Sequence, residues 1–310
     1  MHVTLRQLSL FASVARHLSY TRAAEELHLS QPAVSMQVKQ LEENVGMSLL
    51  EQVGKKTYLT TAGKEMYSYS RAIADLLDEA DGVIEALKGV RRGRLSVSVA
   101  TTASHFTTRL LAAFAKQHPD ITISLDITNR QMLQRQLENN EPDLVIMGQP
   151  PKGVDVEADI FMENPLVMIA PANHPLTKET AIPLNYFSAE NFVVREPGSG
   201  TRGATQRFFD QHQVPFNTAI EMTSNEAIKQ AVEAGLGLGI VSIHTIELEL
   251  ETRRLKILDV QDFPIQRDWY ILQRKGKRLS PAAVAFKGFV LSEAARFIRL
   301  PGGQTNRNGC

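Results

Sequence analysis

Apolar positions along the first sixty residues recur at three- and four-residue spacing, the period of helices too short to stand alone. Residues 5–16 place Leu5, Leu8, Phe11, Ala12 and Ala15 on one face. Thr21 is placed to cap a second short helix carrying Ala23, Ala24 and Leu27, and His28-Leu29 follow as a turn. Ser30 can cap a third helix, with Pro32 tolerated in its first turn because that N–H has no intrahelical partner. Val34, Val38, Leu41 and Val45 give this helix one buried face, and Gly46 ends it. Residues 49–60 read as a short hairpin with Gly54-Lys55-Lys56 at the tip and Tyr58 and Leu59 on the return. Two short helices joined by a tight turn, plus a hairpin, predict a winged helix-turn-helix over residues 1–60.

The period then lengthens. Met66, Tyr69, Ile73, Leu76, Ala80, Val83 and Leu87 alternate spacings of three and four, a heptad seam on one helix over 61–89. At 1.5 Å per residue that helix runs about 43 Å. The stripe can be the packing face of a core helix, but strict heptads and a polar remainder (Lys64, Glu65, Asp75, Asp78, Glu79, Glu85) favour a dimerising linker. Arg91-Arg92-Gly93-Arg94 forms a basic hinge, so the linker occupies 61–93.

From residue 94 strands alternate with helices. Strand-like runs at 95–100, 121–128 and 144–147 are separated by helical runs at 106–116 and 131–139. A second set has strands at 166–170, 192–195, 220–222 and 239–242 with helices at 201–212 and 225–233; a strand at 269–273 and a helix at 281–297 close the chain. This alternation predicts mostly parallel α/β sheets. It is more chain than one sheet needs, so residues 94–300 divide into two subdomains, 94–163 plus 269–300 and 164–268, with a ligand crevice between them. Residues 301–310 are Gly/Asn-rich and read as a disordered tail.

Composition narrows the function. With 310 residues, 43% hydrophobic and 22% charged, the chain has the make-up of an ordinary globular protein. No apolar run approaches the ~18 residues of a membrane span, and the start is not a signal peptide. The single cysteine, Cys310, excludes a disulfide framework or a Cys-based zinc cluster, which favours a cytoplasmic setting without a membrane partner. The eight histidines form no HExxH pair, and Ser104-His105 are neighbours without an established nucleophile–base geometry, so no catalytic set or metal site emerges. An enzyme of small phosphorylated metabolites is a minor alternative, and a solute-binding protein would lack the helix-turn-helix.

The segment TLRQLSLFASVARHLSYTRAAEELHLSQPAVSMQVKQLEENVGMSLLEQ resembles the DNA-binding domain of LysR-type transcriptional regulators. The order of winged helix-turn-helix, linker helix and two-lobed α/β domain matches that family across essentially the whole chain. ELHLSQPAVSMQVKQLE, REPGSGTR and SNEAIKQAVEAGLGLGIVS look closest to the regulators of RuBisCO (Calvin-cycle) operons. The resemblance implies a periplasmic-binding-protein-like effector domain and no enzyme activity. It implies dimers through the linker helices, assembled into tetramers, on double-stranded operators with interrupted inverted repeats, with RNA polymerase as a further partner. It also implies activation of carbon-fixation genes and an effector that is a phosphometabolite or NADPH, acting as signal and not as cofactor. A regulator of another metabolic operon is the alternative within the family.

On the third helix, Pro32, Met36 and Lys39 point outward when Val34, Val38 and Leu41 point in. Gln31 sits in the first turn and Ser35 flanks the buried face. Gln31 can bond a base edge bidentately, Ser35 a base or a phosphate, Pro32 and Met36 a thymine methyl, and Lys39 a phosphate. Arg22, in the preceding helix, and Lys55 and Lys56, at the hairpin tip, suit phosphates. The wing departs from the family: Leu50-Glu51-Gln52 stands where such regulators usually carry a Phe and, two residues later, an Arg, and Gln52 lacks the charge of a minor-groove arginine.

Two strand-to-helix turns suit an anion. Thr101, Thr102 and Ser104 form one; Ser199, Gly200, Thr201 and Arg202, after Arg195, form the other. Gly198 to Gly203 matches GxGxxG with Glu221 near a ribose-binding position, but too few βαβ units follow for a dinucleotide fold. Asn129 and Gln149 lie at strand C-termini, and Thr223 opens another helix and can complete the rim. The run from Gly235 to Gly239 permits either ligand approach or tight helix-to-strand packing.

Net charge is zero, 34 basic against 34 acidic residues, and residues 1–94 carry 12 against 11, so no basic module is concealed. DNA affinity must come from placement and dimerisation. The expected outcome is a shallow slope of log operator affinity against log salt per subunit, read by fluorescence anisotropy across a salt series.

Overall fold

The computed structural model describes residues 2–54, 56–87 and 93–297. Lys55, the hinge residues Arg91 and Arg92 and the tail expected at 301–310 lie outside the described residues, as do the side chains of Val83 and Leu87. The chain divides into two compact units near residue 90.

The N-terminal unit begins with α1 (Leu5–His17), α2 (Tyr20–Glu26) and α3 (Gln31–Val45). Thr4 and Gln7 close a capping box on α1. The second cap is Ser19 and not Thr21: α2 starts two residues earlier than a Thr21 cap allows, and the Ser19 hydroxyl accepts from the Arg22 N–H at 3.3 Å. Ser30 caps α3, and Gly46 ends it at φ +76°, a left-handed conformation costly for a side chain with a Cβ. A hairpin of β1 (Leu50–Val53) and β2 (Lys56–Leu59) follows, pairing Leu50 with Leu59 and Val53 with Lys56. Phe11, Val14, Val34, Val38, Leu41 and Leu49 are fully buried together.

The linker helix α4 (Thr61–Leu87) has 27 residues, about 40 Å. Its apolar stripe is divided between two tasks. Tyr67 is buried in the winged-helix core, where Met66 and Ile73 also pack in part. Tyr69 (64% exposed), Leu76 (58%) and Ala80 remain open, together with Leu77 and Ile84. The free seam is thus rotated from the one spacing alone predicts, because the first turns of α4 also wall their own domain.

The C-terminal unit contains two lobes. Lobe I runs through β3 (Gly93–Ala100), α5 (Ser104–Gln117), β4 (Ile121–Thr128), α6 (Arg130–Glu138), β5 (Leu144–Met147) and β6 (Val156–Glu163). Lobe II holds β7 (Leu166–Pro171), β8 (Asn191–Arg195), α7 (Gly200–Gln211), β9 (Asn217–Met222), α8 (Asn225–Glu233), β10 (Leu238–Ser242), α9 (Glu247–Glu251) and β11 (Leu255–Ile257). The chain then returns to lobe I as β12 (Asp268–Arg274) and α10 (Pro281–Phe297). The sheet orders are β4-β3-β5-β12-β6 and β11-β7-β10-β8-β9.

Neither sheet is mostly parallel. β12 runs antiparallel to β5 and β6, and β7 antiparallel to β10 and β11. β6 was not anticipated because its exposure hardly alternates, and β12 returns from the far lobe with no crossover helix to announce its direction. The continuous apolar runs at β5 and β10 are central strands buried on both faces. The glycine-rich run resolves as packing: Gly237 (φ +152°) leaves a Cβ no room beside the Asn191 carbonyl, and Gly239 lies under Val232 and Ile169. Among the described residues no helix is long and apolar enough to cross a membrane.

Candidate functional site

The third helix presents its outer face as a connected surface. Gln31, Pro32 and Lys39 are exposed, Met36 is 62% exposed, and Ser35 is half-buried at the edge of the packed face. Arg22, Gln52 and Lys56 are exposed on α2 and the wing. Two carboxylates fix this arrangement, and no local sequence signal marked either of them. Glu26 accepts from the Ser13 hydroxyl at 2.7 Å and contacts His17 at 2.8 Å and Arg16, tying α2 to α1. Burial raises its pKa, but the Ser13, His17 and Arg16 contacts outweigh that and hold the carboxyl below the usual range. Glu42, near the end of α3, accepts from the backbone N–H groups of Leu49 (2.7 Å) and Leu50 (3.1 Å), which sets where the wing starts.

In the C-terminal unit a cavity lies between the lobes. Its walls are the turn after β3 (Thr101, Thr102), the end of β4 (Asn129, Arg130), the end of β5 (Met147, Gly148) and the start of α7 (Ser199, Gly200, Thr201). Asn164, Arg267 and Trp269, on the two chain crossings, and Arg195 complete it. The free volume is about 30 Å³, space for roughly two waters. No carboxylate stands among the described residues that line it.

Its arginines differ in how they are neutralised. Arg195 is 3% exposed, pairs with Glu196 at 2.7 Å, donates to Asn225 Oδ1 at 2.8 Å and reaches across to Thr101 Oγ1 at 3.3 Å. Among the described residues Arg267 donates only to the Gly200 carbonyl, at 3.3 Å. Burial, then the nearby Arg130 and Arg207 guanidiniums, push Arg267 down to about 10, with Asp268 and Tyr270 offsetting part of the effect. Burial and Arg207 also lower Arg130, whose guanidinium is held by the Gln149 and Pro150 carbonyls. Arg130 and Arg267 line the cavity, Arg207 lies near them, and the three guanidiniums repel one another, an arrangement that an anion would relieve. A wider groove of about 640 Å³ shares Arg130, Ser199 and Gly200 with it and adds Gln149, Lys152, Arg202 and Arg207.

On another face the lobes meet through charge pairs, Arg109 with Glu247 at 2.6 Å and His105 with Glu226 at 3.9 Å. Burial and then Lys229 lower the His105 pKa. The neighbouring Ser104 hydroxyl donates to the Thr101 carbonyl at 2.7 Å, so these two side chains do not form a nucleophile–base pair.

Comparison with known proteins bears on both sites. Residues 5–64 match the bacterial regulatory helix-turn-helix protein, lysR family, and residues 88–295 the LysR substrate binding domain. The chain belongs to the LysR family. It is 59% identical over 296 residues, 96% of this chain and 98% of the relative, to the RuBisCO operon transcriptional regulator of Allochromatium vinosum. The regulatory domain of CcmR from Synechocystis PCC6803, solved in complex with 2-PG, is 41% identical with a TM-score of 0.64, covering 66% of this chain and 98% of that one. Full-length CbnR complexed with its target DNA shares the fold at 22% identity and a TM-score of 0.64, covering 93% of this chain and 99% of that one.

For this LysR-type chain, the cavity brings together Thr101, Thr102, Asn129, Ser199, Gly200 and Thr201 as expected for an effector site. Four expected residues sit elsewhere. Ser104 spends its hydroxyl closing the turn before α5. Gln149 and Arg202 line only the outer groove; Arg202 donates to the Arg195 carbonyl at 3.0 Å and lies 3.7 Å from Glu221. Thr223 is exposed at the end of β9, the outermost strand of its sheet, one strand beyond the cavity wall. Arg130, Asn164, Arg267 and Trp269 were not anticipated. Arg130 follows a strand C-terminus and was findable by that rule; Arg267 and Trp269 reach the cavity only because the chain crosses back there.

Ser35→Ala or Gln31→Ala is expected to weaken binding to operator DNA more than to random DNA in gel-shift titrations; equal losses would remove them from base readout. Gly148 gives the second test, since a Cβ there would stand 2.5 Å from Arg267 Nη2. Gly148→Ala should displace that guanidinium, the far end of a flexible side chain, and leave the fold intact. Its melting temperature should stay near wild type while the rise induced by an anionic ligand disappears.

Proposed function

We propose that this LysR-type regulator binds operators of RuBisCO and other carbon-fixation genes, acts as an activator, and has its DNA binding or bending adjusted by an anionic metabolite held between the lobes. The effector is a phosphometabolite of the 2-PG kind or NADPH. What supports this reading most is Arg267, a half-buried guanidinium near Arg130 and Arg207, with no carboxylate among the described residues that line the cavity. Support for the target genes comes from the 59% identity to a RuBisCO operon regulator.

The exposed face of α3 enters the major groove, with Gln31 and Ser35 reading base edges and Arg22, Lys39 and Lys56 holding phosphates. The open stripe on α4 pairs two chains, the dimers assemble into a tetramer, and RNA polymerase is contacted from the operator-bound assembly in the cytoplasm. Dimerisation supplies through two half-sites the affinity that a nearly neutral domain lacks.

An anion held by groups of both lobes, Asn129 and Arg130 on one side and Ser199 and Gly200 on the other, has an affinity that depends on the lobe spacing. The ligand therefore binds one spacing better than the other, which is the condition for shifting an equilibrium; tight binding to both would shift nothing.

DNase footprinting upstream of the protein's own gene and of the divergent gene, with and without 2-PG or NADPH, tests the reading. Protection whose pattern changes with ligand is expected. Absence of protection on any such region would overturn the regulator assignment to these genes.

A further inference from the structure

Trp269 is the chain's single tryptophan and only 1% exposed, yet its indole Nε1 has no hydrogen-bond partner among the described residues. Buried indole N–H groups ordinarily find an acceptor, because a desolvated donor left unpaired is disfavoured. This one lines the cavity between the lobes, two residues after Arg267 on the returning chain.

The ring is held in place by apolar packing. Phe106 meets it edge-on at 5.1 Å and is itself backed by Phe161 at 6.2 Å. The register between β12 and β6 slips at this point: Trp269 lies opposite Met162 and Tyr270 opposite Ile160, leaving Phe161 unpaired in the ladder. Such irregularities re-aim side chains next to sites. Three other polar side chains of the cavity already have protein partners. Asn164 Oδ1 accepts from the Ser242 hydroxyl at 2.7 Å, the Thr101 hydroxyl accepts from Arg195, and Arg130 is spent on two carbonyls. The indole N–H is left uncommitted.

We propose that Trp269 is a specificity-determining contact of the effector, its indole N–H donating to an oxygen of the ligand while Arg267 takes the ligand's charge. This rests on the reading that an anionic effector occupies the cavity. An indole donates and never accepts. The ligand atom facing it is therefore a carboxylate, phosphoryl or carbonyl oxygen, and a ligand that presents an ammonium or amide N–H at that point is rejected.

The test uses the full-length chain with 2-PG and NADPH as probes. Because there is one indole, ultraviolet resonance Raman of the wild type reads its N–H bending band alone, and saturation with the bound probe should shift that band toward stronger hydrogen bonding. Trp269→Phe keeps a ring against Phe106 and removes the donor; calorimetry should show the affinity for that probe falling about tenfold or more. A band that does not move on saturation, or a folded Trp269→Phe chain with wild-type affinity, overturns the Trp269 contact and leaves the effector reading standing. If Trp269→Phe does not fold, the wild-type band alone decides. A wild-type chain that binds neither probe overturns the effector reading and this contact with it.

Discussion

The C-terminal unit depends on two adjacent chain crossings. The chain leaves lobe I at Asn164 and returns at Arg267, and the two passages are bonded to each other: the Asn164 N–H donates to the Arg267 carbonyl at 2.7 Å, and Leu166 and Ile265 exchange a pair of bonds at 3.0 Å. Two short antiparallel passages between lobes that keep separate cores form a hinge. The same passages put Asn164, Arg267 and Trp269 into the cavity. Hinge and site are one piece of structure, so a ligand touching the crossing acts on the element that sets lobe spacing.

Charge placement separates a compensated arginine from a poorly compensated one. Arg195 is deeply buried but compensated by Glu196 and Asn225. Arg267 is left with a single carbonyl and two guanidinium neighbours. A partly desolvated charge without a counter-charge costs stability. Across another face, the Arg109–Glu247 pair joins the lobes, so a change of lobe spacing would disturb it.

The N-terminal domain solves the opposite problem, since its functional face must stay exposed while its core remains small. Sharing Tyr67, Met66 and Ile73 of α4 with the winged helix enlarges that core. The cost is that the first turns of the linker cannot also serve a partner chain, which leaves Tyr69, Leu76 and Ala80 as the open seam. Glu26 ties α2 to α1 and Glu42 ties α3 to the start of the wing.

Local periodicity and capping chemistry determined much of this protein. The third helix with its Ser30 cap, Gly46 terminus and outward Gln31, Pro32, Met36 and Lys39 was legible because a 3.6-residue period fixes which side chains share a face. The continuous apolar strands at β5 and β10 and the hydroxyl-bearing turns at Thr101 and Ser199 were legible for the same local reason. Tertiary structure decided what depends on distant segments meeting. It made both sheets mixed by returning β12 from lobe II, turned Ser104, Gln149, Arg202 and Thr223 away from the cavity, and brought in Arg130, Arg267 and Trp269. An arginine 137 residues beyond Arg130 becomes its neighbour only once the chain has crossed between lobes twice, and no spacing along the sequence encodes that repulsion.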